Sequence, residues 1–388
     1  MNKTYDVVVV GAGVIGTSCA YHLVKKGYTV ALVEKDDVAK GTSSHCDSVA
    51  LIVDKMPGVD AALGYASIQR FKELREELDY DFELHERGCM YVCETDEEME
   101  ICTKYANDLA AEGYKVYPLT TEQLLEREPF LAPDLKGGLF SEECIAVNPF
   151  KLCFAFVDAV KDKGMDLYTH TKVTGFKLGA NNQIEGVETT AGVINTTRVV
   201  NACGCWAPEV GEMVGLDIPI IPRKGVILVS SASFPICNQK VQEFGYMVSK
   251  FGMECKRDPE LEKHGVSFVM EPSAGNNLLV GSSRNFVGHS TDAEIDVISA
   301  IAKRACRFYP ILKELNCVRA YAGVRPFMEE HLPLITKVDE VPGYYIAAGH
   351  EGDGISMSPV TGQLISEIIA GEETCRDVTP FSFNRYKK

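Results

Sequence analysis

Residues 5–34 read YDVVVVGAGVIGTSCAYHLVKKGYTVALVE, and this stretch decides the fold. Residues 5–10 form a run with almost no polar interruption, the pattern of a strand buried on both faces of a parallel sheet. Gly11, Gly13 and Gly16 follow at once. Residues 17–26 then read as a helix ending at Gly27, and residues 28–33 as a second apolar strand that delivers Glu34. Gly11 permits a tight turn, Gly13 lets the backbone approach a pyrophosphate, and Gly16 lets the helix pack close to the strand. Val14 and Ile15 lie in the turn itself, and the N-terminus of the helix that follows supplies amide donors and a positive dipole end. Glu34 lies 18 residues after Gly16, where a carboxylate grips both hydroxyls of an adenosine ribose and disfavours a 2′-phosphate. The stretch is therefore a dinucleotide-binding βαβ unit for FAD or NAD, and the fingerprint alone does not choose between them.

Outside that unit the composition sets limits. The chain has 388 residues, 39 Lys+Arg against 55 Asp+Glu and a net charge of −16, with 46% hydrophobic and 24% charged residues. Those proportions belong to an ordinary globular protein of two or three domains and exclude disorder or a disulfide-stapled miniature. An acidic surface repels phosphate backbones, so nucleic acid is not an expected partner. The 14 cysteines contain no CxxC pair, so no metal or iron–sulfur site is expected and they read as reduced, structural thiols. The apolar run at residues 7–20 carries the spaced glycines and lacks a small-x-small cleavage site, which argues against an export signal. No stretch approaches the ~18 apolar residues of a membrane span, and a cytoplasmic protein is expected. There are no internal repeats.

Later segments narrow the choice. Gly41-Thr42-Ser43-Ser44-His45-Cys46-Asp47-Ser48 is a small, hydroxyl-rich loop suited to a diphosphate or a flavin ring. Residues 173–176 and 184–189 read as strands paired around a polar turn at Asn181-Asn182, followed by RVVNACGCWA at residues 198–207. Further segments are PRKG at 222–225, AGVRP at 322–326 and GHEGDGISMSP at 349–359. Together and in this order they resemble the FAD-dependent D-amino-acid oxidase/glycine oxidase/sarcosine oxidase superfamily over essentially the whole length. NNLLVGSSRNFVG at 276–288 with GHEGDG looks most like the β-type subunits of proline, hydroxyproline, opine and cyanide-forming glycine dehydrogenases.

The resemblance implies an α/β fold of two domains, each discontinuous in sequence. A Rossmann-type FAD domain takes residues 1–80, 145–210 and 320–388, with a strand at 344–348 and a helix at 358–370. A mixed-sheet α+β substrate domain takes 81–144 and 211–319, with strands at 226–229, 266–270 and 277–281. Amphipathic stretches at 67–78 and 97–112 read as helices, and the charged run at 256–263 as a surface excursion.

It also implies a chemistry: oxidation of the C–N bond of a small amino or imino acid, hydride passing from the α-carbon to flavin N5 to leave an imine. Arg325 is the carboxylate-binding residue by this resemblance, since a guanidinium offers two parallel donors. Tyr246 is a second pocket candidate, and Arg223 and Arg284 are lesser anion-site candidates. Expected cofactor contacts are Gly11, Gly13, Val14, Ile15, Gly16, Glu34, Lys35, Thr42, Ser43, Ser44, His45, Val173, Ala202, Cys203, Gly204, Trp206, Arg325, Gly352, Asp353, Gly354 and Ile355. FAD is expected to be held without a covalent bond, with attachment through His45 as the alternative. The electron acceptor is O2 or a protein, and further subunits of a dehydrogenase complex are possible partners. Two other readings remain: a flavin-dependent 2-hydroxy-acid dehydrogenase using His331 or His350 as base, and an electron-transferring subunit without its own substrate site. The sequence departs from the oxidase pattern after Pro326, where Phe327-Met328-Glu329-Glu330-His331 replaces a small turn.

Overall fold

The computed structural model, which describes residues 3–255 and 258–386, has two large sheets and two small ones. The first has six strands in the order Leu334–Val338, Tyr344–Ala348, Val199–Asn201, Val7–Val10, Val30–Val33, Met165–Tyr168. All neighbours are parallel except the edge strand Leu334–Val338. Val7, Val8 and Val9 are wholly buried because helices or strands cover both faces. Each such valine contributes roughly 1.5–3 kcal/mol of burial. The helix Val14–Lys25 packs on Pro149–Val160 and on Gly354–Ala370. The last contact is close enough that a Cβ on Gly362 would sit 2.3 Å from Ser18 Oγ.

The second sheet has eight strands: Cys317–Phe327, Ile221–Ser230, Leu278–Gly281, Val269–Pro272, Lys240–Glu243, Cys89–Cys93, Gly137–Ser141 and Val116–Leu119. It is mixed, with only Lys240–Glu243 and Cys89–Cys93 running parallel. Two three-stranded sheets complete the fold. One contains the expected hairpin, Val173–Leu178 with Ile184–Thr189, turning at Ala180–Asn182.

Three expectations shift. Residues 320–327, assigned above to the FAD domain, belong to the strand Cys317–Phe327, which pairs along its length with Ile221–Ser230 in the second sheet. The last long helix begins at Gly354 rather than 358. Pro359 lies inside it, and the Ser358 hydroxyl bonds the Ile355 carbonyl that the proline nitrogen cannot reach. The helix read at 67–78 starts earlier, at Val59, behind Gly58 with φ +96°. Of the charged run, Lys256 and Arg257 lie outside the described residues, and Asp258 caps the short helix Pro259–His264. Among the described residues no helix is long and apolar enough to cross a membrane, and the cysteines are free thiols.

Candidate active site

The turn after the first strand is built by what its glycines leave out. Gly11 has φ +100°, and a Cβ there would lie 2.7 Å from the Ala202 carbonyl; one on Gly16 would lie 1.8 Å from the Gly11 carbonyl. The helix Val14–Lys25 is thereby pressed onto the turn, and its first amide, Val14 N, donates to Ser43 Oγ at 3.0 Å. Glu34 is locked by the backbone, its Oε2 accepting from Ala12 N at 2.8 Å and its Oε1 from Asp36 N at 2.9 Å. A carboxylate has about four acceptor positions, so capacity remains on the cavity side.

These groups open onto one cavity of about 810 Å³ between the two large sheets. It runs past Gly11, Gly13, Val14, Ile15, Glu34, Lys35 and Val173, then Ala202, Cys203, Gly204 and Trp206. The Lys35 ammonium sits 5.2 Å from the Trp206 ring centroid, and His289 stacks on the same ring. The cavity continues past Thr42, Ser43 and His45 to Tyr246, Arg325, Gly352, Gly354 and Ile355. The 42–45 loop is stapled to the second sheet: Thr42 Oγ1 donates to the Val324 carbonyl at 2.7 Å, and a Cβ on Gly323 would come within 2.5 Å of His45 Cβ. His45 Nδ1 is within 3.1 Å of the Gly41 carbonyl.

Three expected contacts do not line the cavity. Gly16 lies beneath the turn, and Ser44 donates to the Lys40 and Gly41 carbonyls. Asp353 is buried between Lys55 at 3.1 Å and Lys250 at 3.0 Å. Although burial pushes the Asp353 carboxyl up, the two ammonium groups outweigh it and hold the pKa well below the usual range. Its neighbour Asp54, which does face the cavity, is pushed up to about 6 by burial and by Asp353.

Arg325 is half-buried, its Nη1 donating to the Ser283 carbonyl at 3.0 Å. The guanidinium lies over Gly225, where a Cβ would be 2.1 Å from Nη1, and alongside Gly352. PRKG and GHEGDG thus supply the bare backbone on which the arginine rests. Tyr246 carries the Arg284 guanidinium 3.7 Å from its ring centroid. Burial pushes the Tyr246 phenol up, but Arg284, Lys250 and Arg325 together bring it below its ordinary value. Arg223 does not line the cavity; it pairs with Glu351 at 3.1 Å.

Asp47 of the hydroxyl-rich loop also lines the cavity, as do Lys240, Gln242 and Glu271, which the sequence reading did not assign to the site. The available signal was the charge in KVQE and at the end of the apolar run VSFVME. It became informative only once strand pairing showed which side faces inward.

The donor set fits an FAD: a glycine-walled turn at a helix N-terminus, a carboxylate locked by the backbone beside it and a hydroxyl loop leading to a half-buried arginine. Among curated proteins, glycine oxidase of Geobacillus kaustophilus is 29% identical over all of this chain and 98% of its own length. Hydrogen cyanide synthase subunit HcnC of Pseudomonas aeruginosa is 28% identical over all of this chain and 97% of its own. The crystal structure of L-proline dehydrogenase from P. horikoshii superposes with a TM-score of 0.90 at 23% identity, covering all of this chain and 99% of that one, which shows the shared fold. The family model described as "DAO: FAD dependent oxidoreductase" matches residues 6–368. The chain belongs to that family of FAD-dependent oxidoreductases.

Proposed function

We propose that the protein oxidises the C–N bond of a small amino or imino acid, removing the α-hydrogen and leaving an imine. The observation that carries the reading is the Arg325 guanidinium resting on Gly225 and Gly352 in the same cavity as the Gly11–Gly16 turn. FAD would be held without a covalent bond by that turn, Glu34, the 42–45 loop, the 202–206 segment and the start of the helix Gly354–Ala370. Bound there, the flavin supplies a two-electron acceptor for the hydride that leaves the α-carbon.

The chain's own part is orientation and charge. Arg325 fixes the substrate carboxylate through parallel donors, and the Tyr246 hydroxyl adds a donor to the same oxygens. The substrate amine reacts as the neutral form, its proton passing to solvent, so no protein base is required. A hydroxy acid would need a base for its hydroxyl proton. His350 is ill-suited, because burial pushes it down to about 3 and its Nε2 meets Thr361 Oγ1 at 3.0 Å. His331 is engaged by Glu351 at 3.0 Å. Both facts support the amine reading. The electrons leave to O2 or to a partner subunit; the second acceptor is in keeping with the likeness to a synthase subunit.

Arg325→Ala tests the proposal. Losing a charged hydrogen bond of about 1.5–3 kcal/mol lowers kcat/KM for amino acids roughly tenfold to a hundredfold, with flavin content retained. Unchanged turnover removes Arg325 from the mechanism, and anaerobic bleaching of the flavin by hydroxy acids alone replaces the substrate class. Release of all the flavin on acid denaturation supports non-covalent binding; colour that stays with the polypeptide points to His45.

A further inference from the structure

Asp54 lines the cavity but belongs neither to the expected cofactor contacts nor to the carboxylate site. Its segment is fixed to the first sheet's last helix, Leu51 N donating to Ser356 Oγ at 3.1 Å. Lys250 Nζ donates to the Asp54 carbonyl at 2.8 Å and to Asp353 at 3.0 Å. Lys250 lies one turn after Tyr246 on the helix Gly245–Phe251, and Asp353 follows Gly352, beside which Arg325 rests. Asp54 is therefore built into the same wall as both residues assigned to the substrate carboxylate.

Its side chain sits in a buried charge cluster. Lys55 Nζ stands 3.3 Å from Asp54 Oδ1 and 3.1 Å from Asp353 Oδ1, and Lys250 Nζ stands 4.0 Å from Asp54 Oδ2. Asp60, which accepts from Met56 N at 3.2 Å, adds a third carboxylate near Lys55. Three carboxylates thus face two ammonium groups, and the other titratable groups nearby do not close the gap. Burial keeps the Tyr91 and Tyr105 phenols, the Cys89 thiol and the His350 imidazole neutral. The Tyr246 phenol carries no positive charge, and the Lys240 ammonium is taken by Asp47. A buried carboxylate without a counter-charge holds a proton or draws a cation. Burial and Asp353 push the Asp54 carboxyl up to about 6. Of the three carboxylates only Asp54 lines the cavity.

An amino or imino acid reaches the site at neutral pH mostly as its zwitterion, and its C–N bond is oxidised only after the ammonium has lost a proton. With the carboxylate on Arg325, the positive end of the zwitterion meets the surplus negative charge of the wall at Asp54. We propose that Asp54 is the catalytic residue that takes this proton. An N–H bond of the ammonium breaks, its electron pair stays on nitrogen, and an O–H bond forms on the carboxylate. The α-hydrogen leaves as hydride and needs no base, so the ammonium proton is the only one that Asp54 handles. The proposal rests on the amine reading, in which that proton goes to solvent; Asp54 is its first acceptor on the way.

Asp54→Asn keeps the shape of the side chain and removes the surplus charge. The flavin-loaded wild type and variant are compared by kcat/KM for the amino acid that bleaches the flavin fastest, from about pH 5 to about pH 10. Competition by propionate, a carboxylate with no amine, is measured alongside. In the wild type we expect a plateau at neutral pH with an acid limb at about 6. In Asp54→Asn we expect kcat/KM about a hundredfold lower at neutral pH, rising about tenfold per pH unit as free amine becomes available, with propionate binding unchanged. A variant that keeps the wild-type profile overturns the role, as does one lowered by a single factor at every pH, which marks a structural residue. If the variant loses its flavin, the wild-type profile decides. A plateau with the acid limb upholds the proposal, and a rise of about one decade per pH unit through neutrality overturns it. Propionate that competes while the profile fails leaves the Arg325 reading intact; propionate that does not compete brings both down.

Discussion

Arg325 and Glu34 are the two side chains on which the proposed site turns, and each is positioned by a neighbour with no side chain or by backbone alone. Because a Cβ on Gly225 would lie 2.1 Å from Arg325 Nη1, Gly225→Ala pushes the guanidinium off its seat. Overpacking of this kind costs about 1–3 kcal/mol. We expect the KM of the preferred acid to rise roughly tenfold while bound flavin is unchanged, as steady-state kinetics and the visible spectrum will show. Glu34 holds Ala12 N and Asp36 N, so Glu34→Ala loosens the turn and removes the expected ribose contact. Flavin affinity measured by dialysis should fall about tenfold to a hundredfold, the equivalent of one or two charged hydrogen bonds. The turn at Gly11 and the close approach at Gly16 were legible in the sequence because their requirement is local, whereas the seat that Gly225 gives Arg325 was not, since it depends on a strand a hundred residues away. Gln242 and Glu271 were not, since their inward side is defined only by a partner strand far away in the chain.

At the scale of elements, the short helix Gly245–Phe251 that presents Tyr246 is tied to the first sheet's last helix by Lys250. Its ammonium contacts the Asp54 carbonyl at 2.8 Å and Asp353 at 3.0 Å. Removing one member of a buried ion cluster strands its partners, at about 3–5 kcal/mol. Lys250→Met should therefore lower the unfolding midpoint and weaken acid binding together. Glu128, which ends the helix Thr121–Arg127, gives a pH test outside the site. It accepts from Asn238 N at 3.0 Å and from the Tyr309 hydroxyl at 3.3 Å, and burial pushes it up to about 7. With the folded value above the unfolded one, its contribution is fully present below about pH 4.3 and is lost as pH rises through about 7. Glu128→Gln should match the wild type in acid and exceed its stability by about 1–3 kcal/mol at pH 8, in denaturant titrations. The buried strands and the amphipathic helices were readable from apolar periodicity. The start of the last helix was misplaced because Pro359 reads as a first-turn residue, and the Ser358 hydroxyl that lets the helix pass it is a local detail the pattern does not announce.

For the whole molecule, the cavity lies where the six-stranded and eight-stranded sheets meet, so cofactor and fold are linked. FAD at a hundredfold excess over its dissociation constant should stabilise the native state by about 2.7 kcal/mol, and raise the unfolding midpoint by roughly 3 °C in a chain of this size. The division into two discontinuous domains came from resemblance, and the strand Cys317–Phe327 marks its limit. That strand carries Arg325 from the second sheet into a cleft whose other wall is the first sheet's glycine turn. Pairing between distant segments is a property of the assembled chain rather than of any window within it. The most direct measurement is a crystal structure of the FAD-loaded protein with a small, unreactive carboxylate bound. The account predicts the adenosine end at Glu34, the flavin ring in the cavity, and the carboxylate on the Arg325 guanidinium beside that ring. A ring bound elsewhere, or a carboxylate that settles away from Arg325, would contradict it.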